Sequence, residues 1–115
     1  MAQPMAKKLL ILLSLGTLLA APAAQALTDG GDLLKWCTQS SAAASGRCLG
    51  YLLAAEDVLA TDSIEGVRAC VPRETGLQRQ HRIVVDWLQA NPTATAATAT
   101  GLVARAYAQH FPCGR

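Results

Sequence analysis

Residues 45–60 read Ser-Gly-Arg-Cys-Leu-Gly-Tyr-Leu-Leu-Ala-Ala-Glu-Asp-Val-Leu-Ala, and this stretch decides the fold class. Its apolar side chains recur every three or four residues, which is the period of an α-helix with one buried face. The buried stripe is formed by Cys48, Leu52, Ala55 and Leu59, and it is widened by Leu49, Tyr51 and Val58. Arg47, Glu56 and Asp57 fall largely outside the stripe, where water can solvate them. The pattern predicts an amphipathic helix that packs on a core.

A shorter helix is predicted before this one. Asp32 is placed to cap its first turn. The apolar residues of this helix are Leu33, Leu34, Trp36 and Cys37. The small residues at 40–46 then interrupt the periodicity.

A third helix is indicated by a capping signal and a clear stop. Thr75 and Gln78 have the spacing of a capping box. The apolar stripe that follows consists of Leu77, His81, Val84, Val85 and Leu88. Asn91 ends the helix, because Pro92 disfavours an α conformation in the residue before it.

The fourth helix is expected from about Ala96 to His110, where Phe111 and Pro112 end it. Residues 61–74 form the longest connection, with a short helical turn near 64–69. No segment predicts a convincing strand. Since short connections favour antiparallel neighbours, we expect a small all-α bundle or orthogonal array of about four helices.

An export signal precedes these helices. Lys7 and Lys8 form a positive n-region, residues 9–20 form an apolar run, and residues 24–26 read Ala-Gln-Ala, a signal-peptidase pattern. We expect residues 1–26 to be a cleaved signal peptide and residues 27–115 to be one helical domain. The apolar run is short for a membrane span, so an uncleaved anchor is the less favoured alternative, and we expect no membrane association after cleavage.

Removing residues 1–26 from a chain of 115 leaves 89 residues, a domain size at which a hydrophobic core alone is marginal. It also removes two of the ten basic residues, so eight Lys and Arg balance eight Asp and Glu. The formal charge of +2 therefore comes from the leader, and it gives no indication of nucleic-acid binding.

Four cysteines, Cys37, Cys48, Cys70 and Cys113, follow the leader, and an even number of cysteines in an exported chain predicts disulfides and an oxidising compartment. Four cysteines allow three pairings. Their places at helix ends and loop boundaries favour Cys37 with Cys48 and Cys70 with Cys113. Chain-entropy arguments give these links roughly 3 and 4 kcal/mol of stabilisation respectively.

No catalytic, metal or cofactor site is predicted. Pairing of all four cysteines leaves no thiol nucleophile, and no Cys-x-x-Cys or His-x-x-x-His pair offers two metal ligands from one turn. His81 lies on or beside a buried stripe, where a structural role is favoured over a catalytic one. His110 lies near a helix C-terminus, where it can interact with the helix dipole.

Several short motifs in order along the chain carry a family resemblance. They are Cys48-Leu49-Gly50-Tyr51, Glu56-Asp57, Cys70-Val71-Pro72, the run 84–88 with Asn91-Pro92, and Phe111-Pro112-Cys113. With them the chain resembles the Rap1a/Tai family of immunity proteins over nearly all of residues 27–115. The resemblance implies a non-enzymatic periplasmic inhibitor of a peptidoglycan amidase toxin delivered by type VI secretion, with a homodimer as one expected assembly.

An inhibitor needs a surface that complements its partner, and the connection 61–74 is the best candidate because a disulfide at its end would hold it rigid. The residues predicted to contact the partner are Glu56, Asp57, Asp62, Glu65, Arg68 and Trp87. An ordinary solvated loop is an equally good interpretation of this segment. The competing functions are an exported helical binding module unrelated to toxins and a small periplasmic chaperone.

Overall fold

A computed structural model describes residues 27–114 and confirms an all-α fold within them. The helices are α1 Gly30–Thr38, α2 Ala42–Leu59, α3 Leu77–Ala90 and α4 Ala99–His110, with a short 3-10 turn at Pro92–Ala94 between α3 and α4. None of these helices is long and apolar enough to cross a membrane. The predicted leader, residues 1–26, lies outside the described residues, so its cleavage stays a prediction.

The first two helices begin earlier than the sequence predicts. Asp29, not Asp32, caps α1, and the two residues form a reciprocal capping box in which the Asp29 carboxylate accepts from the Asp32 N–H at 2.9 Å. Ser41 caps α2 by accepting from the Ala44 N–H at 3.2 Å. Small residues therefore start α2 instead of interrupting the chain up to Gly46, because a serine cap outweighs their weak apolar pattern.

The predicted capping box at Thr75 is wrong. Gly76 occupies the N-cap position of α3 without a side-chain hydrogen bond, and the Thr75 carbonyl instead accepts from the Gln80 side chain at 3.1 Å. The end of α3 at Ala90 agrees with the predicted stop at Asn91 before Pro92.

The fourth helix starts at Ala99, later than the predicted Ala96, because the residues before it pair with the start of α1. The N–H groups of Gly30 and Gly31 donate to the carbonyls of Ala97 and Thr95 at 3.0 and 3.1 Å, and the Ala99 N–H donates to the Thr28 carbonyl at 2.9 Å. These bonds hold residues 95–98 out of a helix. A methyl group at Gly30 would also collide with Leu102, so this contact requires glycine.

The core lies around α4. Leu102, Val103, Ala104, Ala106 and Tyr107 each expose 1% of their surface or less. The other three helices cover them with Leu33, Cys48, Leu52, Ala55, Leu59, Ile83, Val84 and Leu88. The predicted stripe of α2 is confirmed, since Cys48, Leu52, Ala55 and Leu59 are its buried residues together with Ala44.

The connection 61–74 contains a tight hairpin turn and not the predicted helical turn near 64–69. Ile64 and Val67 exchange backbone hydrogen bonds of 3.0 and 2.9 Å. Glu65 and Gly66 between them have φ values of 52° and 77°. Two successive residues with positive φ are typical of a two-residue hairpin turn and are incompatible with a right-handed helix.

Both predicted disulfides are confirmed. Cys37 is linked to Cys48 across the α1–α2 turn, and Cys70 is linked to Cys113 across the end of the connection and the residues after α4. Each disulfide links two residues that are separated in the sequence but adjacent in the fold. Each therefore restricts the conformations of the unfolded chain.

Candidate partner-binding surfaces

A polar cleft of about 310 Å³ lies between the C-terminal half of α2 and the connection. From α2 it is lined by Glu56, Leu59 and Ala60, and from the connection by Arg68, Ala69, Cys70, Val71 and Arg73. We call it the Glu56 cleft. It combines two guanidinium groups, one carboxylate and a short apolar wall.

Glu56 is held in place by a buried polar network. Gln80, which exposes 2% of its surface, donates from Nε2 to the Glu56 carboxylate at 3.0 Å. Its Oε1 accepts from the Tyr107 hydroxyl at 2.8 Å. Every polar group of this amide therefore has a partner, as buried polar groups require. The network joins α2, α3 and α4 beneath the cleft.

Tyr107 is the donor at the inner end of this network. Burial, and secondarily the negative charge of Glu56, raises the pKa of the Tyr107 phenol well above its ordinary value of 10.0. The phenol therefore stays protonated and keeps donating to Gln80 across the physiological pH range.

The second disulfide fixes the wall of the cleft. The Cys70 N–H donates to the Phe111 carbonyl at 2.8 Å, next to the Cys70–Cys113 link. The Arg79 guanidinium lies 5.7 Å from the centre of the Phe111 ring, in cation–π geometry. The side chains of Arg68 and Arg73 therefore extend from a backbone segment that is held by a disulfide and a hydrogen bond.

The structure brings together only part of the residues predicted to contact a partner. Glu56 and Arg68 line the cleft. Asp57 and Asp62 are exposed but do not line it, and the Asp62 carboxylate accepts from the Ser63 N–H at 2.7 Å. These two residues remain candidates for contact at its periphery.

Two predicted contact residues make bonds within the fold. The Glu65 carboxylate accepts from the Thr98 hydroxyl at 2.8 Å, which ties the hairpin turn to the start of α4. Trp87 is half-buried, and its indole N–H donates to the Gln109 side chain at 2.7 Å, which links α3 to α4. Both side chains therefore contribute to tertiary structure.

Sequence reasoning missed Gln80. Arg73 belongs to the connection that the sequence predicts as the binding segment, and the structure places it in the lining of the cleft. Gln80 left a signal, because it lies four residues before Val84 and within the apolar stripe of α3. A polar residue in a buried stripe must find a partner, and that partner is often part of a site.

A second concave surface, which we call the Trp36 groove, lies on another flank of α2. Its volume is about 480 Å³, and it is lined by Thr28, Trp36, Arg47, Gly50, Tyr51, Ala54 and Thr100. The rings of Trp36 and Tyr51 are 5.8 Å apart and tilted by 43°, and the Arg47 guanidinium lies 5.5 Å from the Trp36 ring. Val58, 45% exposed, extends the same helical face.

His81 lies beside the first disulfide. Its Nε2–H donates to the Cys37 carbonyl at 2.8 Å, the structural role that the sequence favours. Among residues 27–114, the one trio of potential metal-ligating side chains is Cys37, Cys48 and His81. Both sulfur atoms are used in the disulfide, so they offer no thiolate to a metal. The described residues contain no free cysteine that could serve as a nucleophile.

The described residues form a small, disulfide-stapled, all-α domain whose concave surfaces include the Glu56 cleft and the Trp36 groove. A comparison with protein-family models matches residues 29–113 to the family described as Rap1a immunity proteins. The chain belongs to the Rap1a immunity protein family, as the sequence motifs predict. No curated protein and no solved structure compared with the chain matches it.

Proposed function

We propose that this protein is a periplasmic immunity protein that binds and neutralises a peptidoglycan amidase toxin delivered by type VI secretion. The observation that carries the proposal is the Glu56 cleft, formed against a stapled connection in a chain of the Rap1a immunity family. The inhibitor acts by occupying the toxin's surface and performs no chemistry of its own.

The connection suits an inhibitor because it is ordered before it meets a partner. The Ile64–Val67 hairpin bonds, the Glu65–Thr98 hydrogen bond and the Cys70–Cys113 disulfide hold it at three points. A segment that is already ordered loses less conformational entropy on binding, so more of its contact energy appears as affinity.

Two steps test the proposal. The mature protein, immobilised through its C-terminus, should retain an amidase toxin from the secreted proteins of a type VI-competent strain, identified by mass spectrometry. Adding the free protein should then stop that amidase from cleaving purified peptidoglycan at a one-to-one ratio. An amidase that is retained but cleaves at its full rate would contradict the proposal, as would retention of a different class of protein only.

We also propose that the protein forms a homodimer through the Trp36 groove. Trp, Tyr and Arg are the residues most enriched in interface hot spots, and here one of each lines a single groove beside two small residues of α2. An exposed Val58 on the same face adds apolar surface.

The dimer is tested by filling the groove. A Cβ atom at Gly50 would meet no atom within 4 Å, and Gly50 lines the groove, so Gly50→Arg should fold and project into it. The matched control is Gly46→Arg, because Gly46 is equally open and lies on α2 outside the groove. Light scattering should show a wild-type and control dimer and a Gly50→Arg monomer. A wild-type monomer at high micromolar concentration would refute the assembly.

A further inference from the structure

The charges that line the Glu56 cleft are unequal. Arg68 and Arg73 are both exposed and carry two positive charges at its rim, whereas Glu56 is half-buried and is the single acidic residue that lines it. The lining therefore has a net charge of about +1 at neutral pH. A cleft with this net charge favours an anionic ligand that carries few negative charges.

Glu56 is not equivalent to the arginines as a binding group. One of its carboxylate oxygens already accepts from Gln80 at 3.0 Å, and Gln80 is itself held by Tyr107 and the Thr75 carbonyl. The Glu56 carboxylate is thus held in a fixed position in the cleft by its hydrogen bond to Gln80. The guanidiniums, each with five N–H donors in a planar fork, are the groups that can bind a carboxylate in a bidentate manner.

The backbone beneath the arginines is constrained. Arg68 precedes buried Ala69 and the disulfide residue Cys70, and Arg73 lies within a turn closed by the Thr75 N–H donating to the Pro72 carbonyl at 3.0 Å. The two side chains therefore start from defined positions on one side of the cleft. This lowers the ordering cost of holding a ligand between them.

The size and walls of the cleft further restrict the ligand. A doubly charged phosphate would leave excess negative charge beside Glu56, whereas one carboxylate neutralises the net charge of the lining. Leu59, Ala60 and Val71 offer an apolar wall to the methylene groups of a side chain. These features select a carboxylate on a short aliphatic stem.

We infer that the Glu56 cleft binds an acidic side chain, Asp or Glu, of the partner protein between Arg68 and Arg73, and that Glu56 limits the cleft to a single negative charge. In this inference the identity of the partner rests on the proposed function, but the binding of an acidic side chain by the cleft is measured without any toxin. Arg68 and Arg73 are then specificity determinants, and Gln80 is a positioning residue that acts through Glu56.

The first test uses two probe peptides, acetyl-Gly-Glu-Gly-amide and acetyl-Gly-Lys-Gly-amide, titrated to millimolar concentrations into the ¹⁵N-labelled mature protein. The Nε–Hε NMR signals of Arg68 and Arg73 should shift saturably with the Glu peptide and not with the Lys peptide. Arg82 and Arg105, exposed on α3 and α4, are the internal controls and should not shift. Equal shifts at all four arginines, or no shift at Arg68 and Arg73, would overturn the inference.

The second test is Glu56→Gln, which keeps an oxygen that can accept from Gln80 while removing the negative charge. The Glu peptide should bind about two- to fivefold more tightly to this variant, because one like charge that solvent partly screens is removed from beside the ligand. Weaker binding would show that Glu56 favours the acidic peptide instead of opposing it, and it would overturn the inference. Toxin inhibition without Glu-peptide binding would refute this inference alone, whereas Glu-peptide binding without toxin inhibition would refute only the proposed function.

Discussion

Gln80 is the residue on which the candidate site depends most. It is a buried amide in a helix whose other buried residues are apolar, and it bonds to three different segments: Glu56 of α2, Thr75 just before α3 and Tyr107 of α4. A buried network of this kind is costly if one member is lost, because the remaining polar groups are left without partners. Here the network lies directly beneath the cleft, so stability and site geometry are coupled.

Because the pKa of Tyr107 is raised in the folded protein, the fold loses stability at alkaline pH. The unfolded phenol ionises near pH 10 while the folded one stays protonated, so the stabilisation is fully present below pH 10 and is lost as the pH rises above it. The free energy of unfolding should fall by about 1 kcal/mol from this group between pH 9 and pH 11. Urea unfolding at both pH values measures the change.

The control for this prediction is a phenylalanine variant. Tyr107→Phe removes the phenol and with it about 1 kcal/mol of the alkaline loss. An identical pH dependence in wild type and Tyr107→Phe would contradict the assignment.

At the scale of elements, the connection 61–74 is organised by its hairpin turn. Glu65 and Gly66 both have positive φ, and the Glu65 carboxylate reaches the Thr98 hydroxyl at the N-cap position of α4. A methyl group at Gly101 would collide with that carboxylate, so the start of α4 is shaped to receive it. The turn therefore positions both the connection and the last helix.

Two glycine-to-alanine substitutions should have opposite effects. Gly66→Ala forces a Cβ into a positive-φ conformation and should lower the free energy of unfolding by about 1 kcal/mol. Gly46→Ala lies on an open face in the interior of α2 and should raise it by about 0.5 to 1 kcal/mol. Chemical denaturation of both variants tests this. Stabilisation by Gly66→Ala would rule out the turn described.

The sequence predicted the elements whose signals are local. The period of α2 and the stop before Pro92 were predicted, because apolar spacing and proline act within a few residues. The disulfide pairing was predicted from the places of the cysteines at helix ends and loop boundaries. The start of α4, the Glu65–Gly66 turn and the role of Glu65 were not predicted. The start of α4 depends on Thr28 and Gly30, and the role of Glu65 depends on Thr98, and these partners are distant in sequence.

The same limit applies to the candidate site. Glu56 and Arg68 were predicted as contact residues, and the structure places both in the Glu56 cleft. Arg73 lies on the same predicted connection as Arg68, whereas Gln80 joins the site only through the packing of α3 against α2. Trp87 was predicted at an interface but its indole bonds to Gln109, a residue 22 positions further along the chain. Side-chain partners across helices cannot be read from periodicity.

At the scale of the whole molecule, two disulfides reinforce a domain of a size at which a hydrophobic core alone is marginal. The Cys37–Cys48 link spans 11 residues and joins α1 to α2, whereas the Cys70–Cys113 link spans 43 residues and joins the connection to the end of α4. Only the second link lines the candidate cleft. The two therefore differ in their effect on binding as well as on stability.

Replacing each pair of cysteines with serine separates these effects. Loss of Cys37–Cys48 should lower the free energy of unfolding by about 3 kcal/mol, and loss of Cys70–Cys113 by about 4 kcal/mol. Urea unfolding gives both values. Below the unfolding transition, only the second variant should bind toxin more weakly, because its connection is no longer stapled. Equal loss of binding in both variants would contradict the location of the site.

The central claim is that the Glu56 cleft neutralises an amidase toxin, and the most direct test is the inhibition of peptidoglycan cleavage by a charge-reversed cleft. In Arg68→Glu/Arg73→Glu, both guanidiniums of the rim become carboxylates beside Glu56, and the concentration giving half-inhibition should rise at least about tenfold, as expected when like charges are juxtaposed. Arg82→Glu/Arg105→Glu, with the same change of charge at exposed sites outside the cleft, should inhibit like wild type. Undiminished inhibition by the cleft variant, or equal weakening by both, would contradict the account.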